Sequence, residues 1–273
     1  MQEGLQIGSK EVFDTLFIDY RIMVTVAIIS IIIFLVGIYL QLVKWGQGVP
    51  EGAKKPLGAW GTLKMIVNKI FEKGIGAALG VIILDGLFQR RTWRRRKTEW
   101  IMHILIFWGY FGLFILTVAA AAAEFYGPFV KNEASGNPQF FINTFQALKP
   151  FNLLFAAMLT IGIVIAIVRR LFFSDVPAAR FTSVDWISIA GLSIVIITGF
   201  LAYYLRIDVF QVPGRELVSA YPVAFFNNPT VLFHEVFTLL FCVAYLPFSK
   251  LFHMFVTPLV IMINKGGYAE VNA

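Results

Sequence analysis

The chain has 273 residues, 58% of them hydrophobic and 14% charged, with 28 Phe and a formal net charge of +7. Its mean hydropathy of +0.76 lies far above that of ordinary soluble domains, which excludes that class and points to an integral membrane protein. Its one cysteine, Cys242, excludes a disulfide framework and any iron–sulfur cluster built from this chain's thiolates; an inert buried thiol is expected.

The first 20 residues carry Glu3, Glu11, Asp14 and Asp19 and lack a basic region before an apolar core, so they do not read as a cleaved signal peptide. The first apolar stretch, 22 to 43, is long enough to span a bilayer as a helix. The connection after it is the longest, and its segment LGAWGTLKMIVNKIFEK sets Trp60, Leu63, Ile66, Val67, Ile70 and Phe71 at helical spacing against Lys64, Asn68, Lys69 and Lys73. That pattern predicts an interfacial amphipathic helix. GIGAALGVIILDGLF follows, apolar but too short to span, and then the basic run QRRTWRRRK. Residues 57 to 97 thus offer a docking surface at the inner face, and the arginines equally suit topology and anionic lipid. Nucleic-acid binding fits poorly, because the run abuts a span and no stacking platform accompanies it.

Four more stretches are predicted to span, at 100 to 123, 151 to 168, 184 to 205 and 230 to 252. Helices are expected throughout, since lipid leaves backbone groups no outside partner and the alternation of a barrel strand is missing. The intervening EFYGPFVKNEASGNPQFF and VFQVPGRELVSAYPVAFFNNP read as surface loops at the headgroups. Of 23 Lys and Arg, 11 fall between residues 45 and 98, and Arg169, Arg170 and Arg180 lie in the third connection. The positive-inside rule then predicts the N-terminus outside and the C-terminus inside a single membrane domain, an all-α five-helix bundle. No internal repeat and no paired broken spans appear, which argues against a secondary transporter.

Three histidines carry most of the metal-binding capacity. His103 lies near the start of the second span and His253 at the end of the fifth, so both are expected near the inner face, where antiparallel helices let them meet. His234 opens HEVFTLLFCVAYLPFSKLFH, 19 residues before His253, and a helix would place it about 28 Å away, near the outer face. A straight helix would set the two about 100° apart. Pro247 removes a hydrogen bond, clashes with the Val243 carbonyl and is expected to kink the helix between them. Paired neutral imidazoles from facing membrane helices best fit axial ligation of haem iron. Zinc would need further ligands, and none converge at that depth. The competing readings are interfacial histidines bonded to backbone or water and, for His234, a helix-start histidine beside Glu235. Lys250, Arg91 and Arg94 are candidate partners for haem propionates. The run Ala119 to Ala123 either leaves room for a porphyrin face near His234 or serves close helix packing.

LDGLFQRRTWRRRKTEWIMHILIFWGYFGLFILT (84 to 117) and HEVFTLLFCVAYLPFSKLFHMFVTPL (234 to 259) resemble the gamma subunit of respiratory nitrate reductase. They are more similar to the cytochrome b subunit of membrane-bound heterodisulfide reductase and of related sulfate-reducer membrane complexes. D-G-L-F-Q-R-R before the histidine-bearing span favours the heterodisulfide-reductase type, and H…L-P-F-S-K-L-F-H is the most specific signal. The resemblance covers about residues 20 to 263 and agrees with five spans, N-out and C-in. It implies an inner haem b on His103 and His253, next to a soluble iron–sulfur partner of heterodisulfide-reductase type, and an outer haem with His234 as one ligand. The nitrate-reductase pattern puts the other outer ligand ten residues beyond His103, where this chain has Leu113, which cannot bind iron. Three options follow: a five-coordinate haem on His234, a second ligand such as Tyr110 or Met158, or no outer haem; the closer likeness favours two unequal haems.

The expected function is that of a respiratory electron-transfer subunit in the cell membrane, an oxidoreductase component that is not catalytic alone. Electrons would pass through haem b between a lipophilic quinone-type carrier, menaquinol or methanophenazine, and the inner-face partner. Glu235, with His234, is the candidate proton acceptor, set against a helix-start acid favoured by the dipole. Competing readings are a hydrogenase, formate dehydrogenase or nitrate reductase cytochrome, a haem-free membrane anchor, or a transporter.

Overall fold

Long apolar runs without interior breakers become long helices here. In the computed structural model, which describes residues 7–49, 54–72, 74–130, 138–172, 183–210 and 229–263, the described elements are all helical. They are α1 (Ile7–Trp45), α2 (Gly58–Glu72), α3 (Ile75–Val81), α4 (Arg90–Arg95), α5 (Lys97–Val130), α6 (Pro138–Phe172), α7 (Ser183–Phe210), α8 (Pro229–Thr238) and α9 (His253–Ile263). A π-helical segment, Ile82–Leu87, continues α3, and another, Leu239–Ala244, continues α8.

Four helices are long and apolar enough to cross a membrane: Ile22–Trp45, Lys97–Ala120, Ala147–Phe172 and Asp185–Tyr204. They answer to the first four expected spans. Only 11% to 28% of each is buried within the chain, so their apolar side chains face outward, as lipid-facing helices require. The expected loop at 124 to 141 is shorter than its composition suggested, because α5 runs on to Val130 and α6 starts at Pro138. Of the loop expected at 209 to 229, residues 211–228 lie outside the described residues.

The fifth stretch, 230 to 252, is not the single helix expected. After the π-helical Leu239–Ala244 come two 3-10 turns, Leu246–Phe248 and Lys250–Phe252, separated by Ser249 in extended conformation (φ −91°, ψ 162°). Pro247 cannot donate a backbone hydrogen bond, and the chain breaks around it instead of bending smoothly. The straight-helix offset between His234 and His253 therefore does not apply.

The chain divides into two compact units. In the unit containing Val26–Trp100, Phe181–Ser188 and Thr238–Ala273, α1 braces the break. A Cβ on Gly37 would lie 2.7 Å from Pro247 Cβ, so only glycine admits the proline at this distance. Gln41 Nε2 donates to the Pro247 carbonyl at 2.8 Å, supplying a partner for a group that the broken helix leaves without its usual one. Trp45 stacks on Phe252 with ring centroids 6.3 Å apart. Ala78, Val81, Ile261 and Met262 form a small core joined by Ile70 and Leu259, which ties α2, α3 and α9 together. As expected, α2 is amphipathic: Thr62 and Ile66 are buried, while Trp60, Leu63, Val67 and Phe71 keep an apolar stripe exposed.

In the unit containing Ile101–Arg180 and Ile189–Phe237, α5 and α6 pack backbone to backbone. A Cβ on Gly109 would stand 2.5 Å from the Leu159 amide nitrogen, and one on Gly112 would be 2.5 Å from the Phe155 ring. Small residues at such crossings replace the hydrophobic drive that lipid removes. These glycines carry the close approach, whereas Ala119 and Ala120 are half-buried and Ala122 is exposed.

Candidate haem-ligand sites

His234 is the sixth residue of α8 and half-buried. Its Nδ1 lies 2.9 Å from the hydroxyl of Thr198 on α7. The single hydroxyl hydrogen of Thr198 points to the Ile194 carbonyl at 2.7 Å, the usual back-bond of a threonine inside a helix. With that hydrogen so engaged, Thr198 Oγ1 can accept from His234 in the tautomer that has its proton on Nδ1 and its lone pair on Nε2. The ring rests against Gly199, where a Cβ would stand 3.1 Å from Cε1. A hydroxyl to fix the tautomer and a glycine to admit the ring thus occupy successive positions of α7.

His253 is the first residue of α9 and is exposed. Its Nδ1–H donates to the carbonyl of Lys250, one turn earlier. A carbonyl can only accept, so here too Nε2 carries the lone pair. The turn is held by Ser249, whose hydroxyl accepts from the Leu251 amide at 3.2 Å and donates to the Leu246 carbonyl at 2.8 Å. Lys250 Nζ reaches Asp185, in the first turn of α7, at 2.9 Å.

Metal-ligating histidines almost always donate the other ring N–H to an oxygen, which fixes orientation and raises ligand basicity. Both His234 and His253 meet that requirement, so the residues present fit haem ligation. His103, the seventh residue of α5, is half-buried. It lies in one unit and His253 in the other. Leu113 and Met158 are half-buried, and Tyr110 is buried. Among the described residues, no group of three or more His, Cys, Asp or Glu is placed to hold a metal ion. Cys242 is buried.

The cations expected at haem propionates also meet carboxylates of this chain. Besides the Lys250–Asp185 pair, Arg91 Nε lies 3.5 Å and Arg90 Nε 3.6 Å from the fully buried carboxylate of Asp85. The two guanidinium groups face this buried carboxylate at ion-pair distance, without a direct hydrogen bond to either of its oxygens. Gln89, in left-handed conformation (φ 49°), turns the chain into α4, and Trp100 Nε1 donates to the Phe88 carbonyl at 2.7 Å. The D-G-L-F-Q-R-R motif is therefore a packed corner. Arg94 is exposed in the last turn of α4. Glu235 lies beyond the first turn of α8, so the helix dipole does not account for it.

Thr198, Gly199, Asp185 and Asp85 received no role from the sequence. A threonine–glycine step inside an apolar span was the available signal for the first two, and a carboxylate within an apolar run was the signal for Asp85.

The HdrE family, the E-type component of dihydromethanophenazine:CoB--CoM heterodisulfide reductase, matches residues 79–261, a range that includes both motif stretches. The protein of that description from Methanosarcina acetivorans is 38% identical over 95% of this chain and 96% of its own. Its counterpart in Methanosarcina thermophila is 38% identical over 93% of this chain and 95% of its own, and that in Methanosarcina mazei is 36% identical over 93% and 96%. No solved structure matches. With four apolar helices and likeness along nearly the whole length, the chain belongs to the HdrE family of multi-pass membrane proteins, electron-transfer components of the heterodisulfide reductase complex.

Proposed function

We propose that the chain is the haem b-bearing membrane subunit of a heterodisulfide-reductase-type respiratory complex in the cell membrane. It stands between a lipophilic two-electron carrier and an iron–sulfur partner at the inner face, with five spans, the N-terminus outside and the C-terminus inside. The observation that carries this reading is the matched setting of His234 and His253, each with Nδ1 against an oxygen, the arrangement that orients a metal-ligating imidazole. His253 with His103 holds the inner haem, and His234 is one ligand of the outer one, whose other expected position holds Leu113. When bound, haem b supplies one-electron redox centres, as a component between a two-electron carrier and an iron–sulfur protein requires. Because Lys250 and Arg91 already face carboxylates, Arg94 is the cation best suited to a propionate.

The relatives' names contain dihydromethanophenazine, and the carrier proposed here is of that class or a menaquinol. Glu235, beside His234 and half-buried, accepts protons released by the reduced carrier. Its Glu235→Gln variant is expected to slow oxidation of the carrier; rates unchanged across pH remove Glu235 from this role.

Haem quantification and spin-state spectroscopy of the purified protein test the whole reading. One six-coordinate low-spin haem and one high-spin haem are expected. His103→Ala and His253→Ala should each abolish the low-spin species, and His234→Ala the high-spin one. Full low-spin content in either of the first two variants overturns the pairing. Absence of b-type absorption after dithionite identifies a haem-free anchor instead.

A further inference from the structure

We infer that Asp185 and Lys250 form a charge-compensated support that sets the electron-donating strength of His253. The inference rests on the reading of His253 as a haem ligand. Three observations lead to it. The acceptor of the His253 Nδ1–H is the backbone carbonyl of Lys250, a neutral group where a carboxylate would serve as well. The side chain of that same residue is held 2.9 Å from Asp185. Ser249 fixes the intervening turn through hydrogen bonds at both of its ends, so the carbonyl has little freedom to follow the side chain.

The charges matter because of where the chain puts them. Lys250 stands three residues before His253 and its carbonyl bonds the imidazole, so its charge is carried on the residue that holds the ligand. An uncompensated ammonium there favours the electron-rich, reduced state of a metal bound at Nε2, and an uncompensated carboxylate favours the oxidised state. Asp185, 13% exposed against 46% for Lys250, cancels the ammonium from a position at the start of α7, where the helix dipole also favours a carboxylate. The ligand is left with a neutral carbonyl acceptor and a balanced pair beside it. Asp185 and Lys250 are thus positioning and tuning residues that do not touch the metal themselves.

Opposite charge deletions provide the test. In redox titrations of the purified protein, Asp185→Asn should raise the midpoint potential of the low-spin haem and Lys250→Met should lower it. The double variant should return close to the wild type, Asp185→Glu should preserve the wild-type value, and haem content should stay full in all four. A defect that is only structural moves both single variants in the same direction or sheds haem. Either result, or no shift in either single variant while His253→Ala still removes the haem, overturns the inference alone. Retention of the low-spin haem in His253→Ala overturns the ligand reading and the tuning role with it. Lys250 is half exposed, so Lys250→Met remains decisive if Asp185→Asn does not assemble.

Discussion

At His234 the chain orients an imidazole by reaching across to another helix; at His253 it does so within a single turn. The first arrangement uses a side-chain hydroxyl and a glycine on α7, with regular helix on both sides. The second uses a backbone carbonyl exposed by a broken helix and is held in shape by Ser249, Gln41 and an ion pair. Both set Nδ1 against an oxygen, so one chemical requirement is met by two unrelated structural means. Damage to one site should therefore leave the other intact.

The largest expected effect is at Gly199. A Cβ there already presses on the His234 ring, so Gly199→Leu should displace it, cost about 1–3 kcal/mol of packing and remove the high-spin haem. Low-spin content measured in the same sample should be unchanged; equal loss of both haems would break the contrast. Thr198→Val keeps the volume and removes the acceptor, and should lower haem retention at His234 by about 10–100-fold in a competition assay, with Thr198→Ser restoring it. On the other side, Gln41→Leu strands the Pro247 carbonyl and should cost about 1–3 kcal/mol, read as earlier thermal unfolding in detergent. It should broaden the electron paramagnetic signal of the low-spin haem only. Ser249→Ala, the mildest change, removes a cap worth about 1 kcal/mol and should sharpen the comparison by shifting that signal without loss of haem.

Four spans, the amphipathic α2 and the family were legible in the sequence because each depends on local pattern: sustained hydropathy, helical spacing, or a motif read in order. Pro247 announced a disturbance, but the extended Ser249 and the π-helical turn before it depend on what α1 offers through Gly37 and Gln41, the latter 206 residues before the proline. The same holds for the ion pairs. Lys250 and Arg91 were legible as cations, while their engagement by Asp185 and Asp85 is a tertiary fact with no trace in spacing. Thr198 was hidden for another reason. A threonine bonded back to its own helix is common in apolar spans, and nothing local distinguishes one whose oxygen also accepts from a histidine.

The break at Pro247 also bears on how the protein is made. No piece of the fifth stretch is as long as a bilayer-spanning helix, and its Pro247 carbonyl in lipid would lack the partner that Gln41 provides. During synthesis α1 emerges before this segment, so the segment meets a membrane already holding the helix that completes its hydrogen bonding. Chains shortened at the N-terminus through Gln41 should insert α5, α6 and α7 normally and leave the final segment exposed to quality-control proteolysis. The first span is in that sense an internal chaperone for the last.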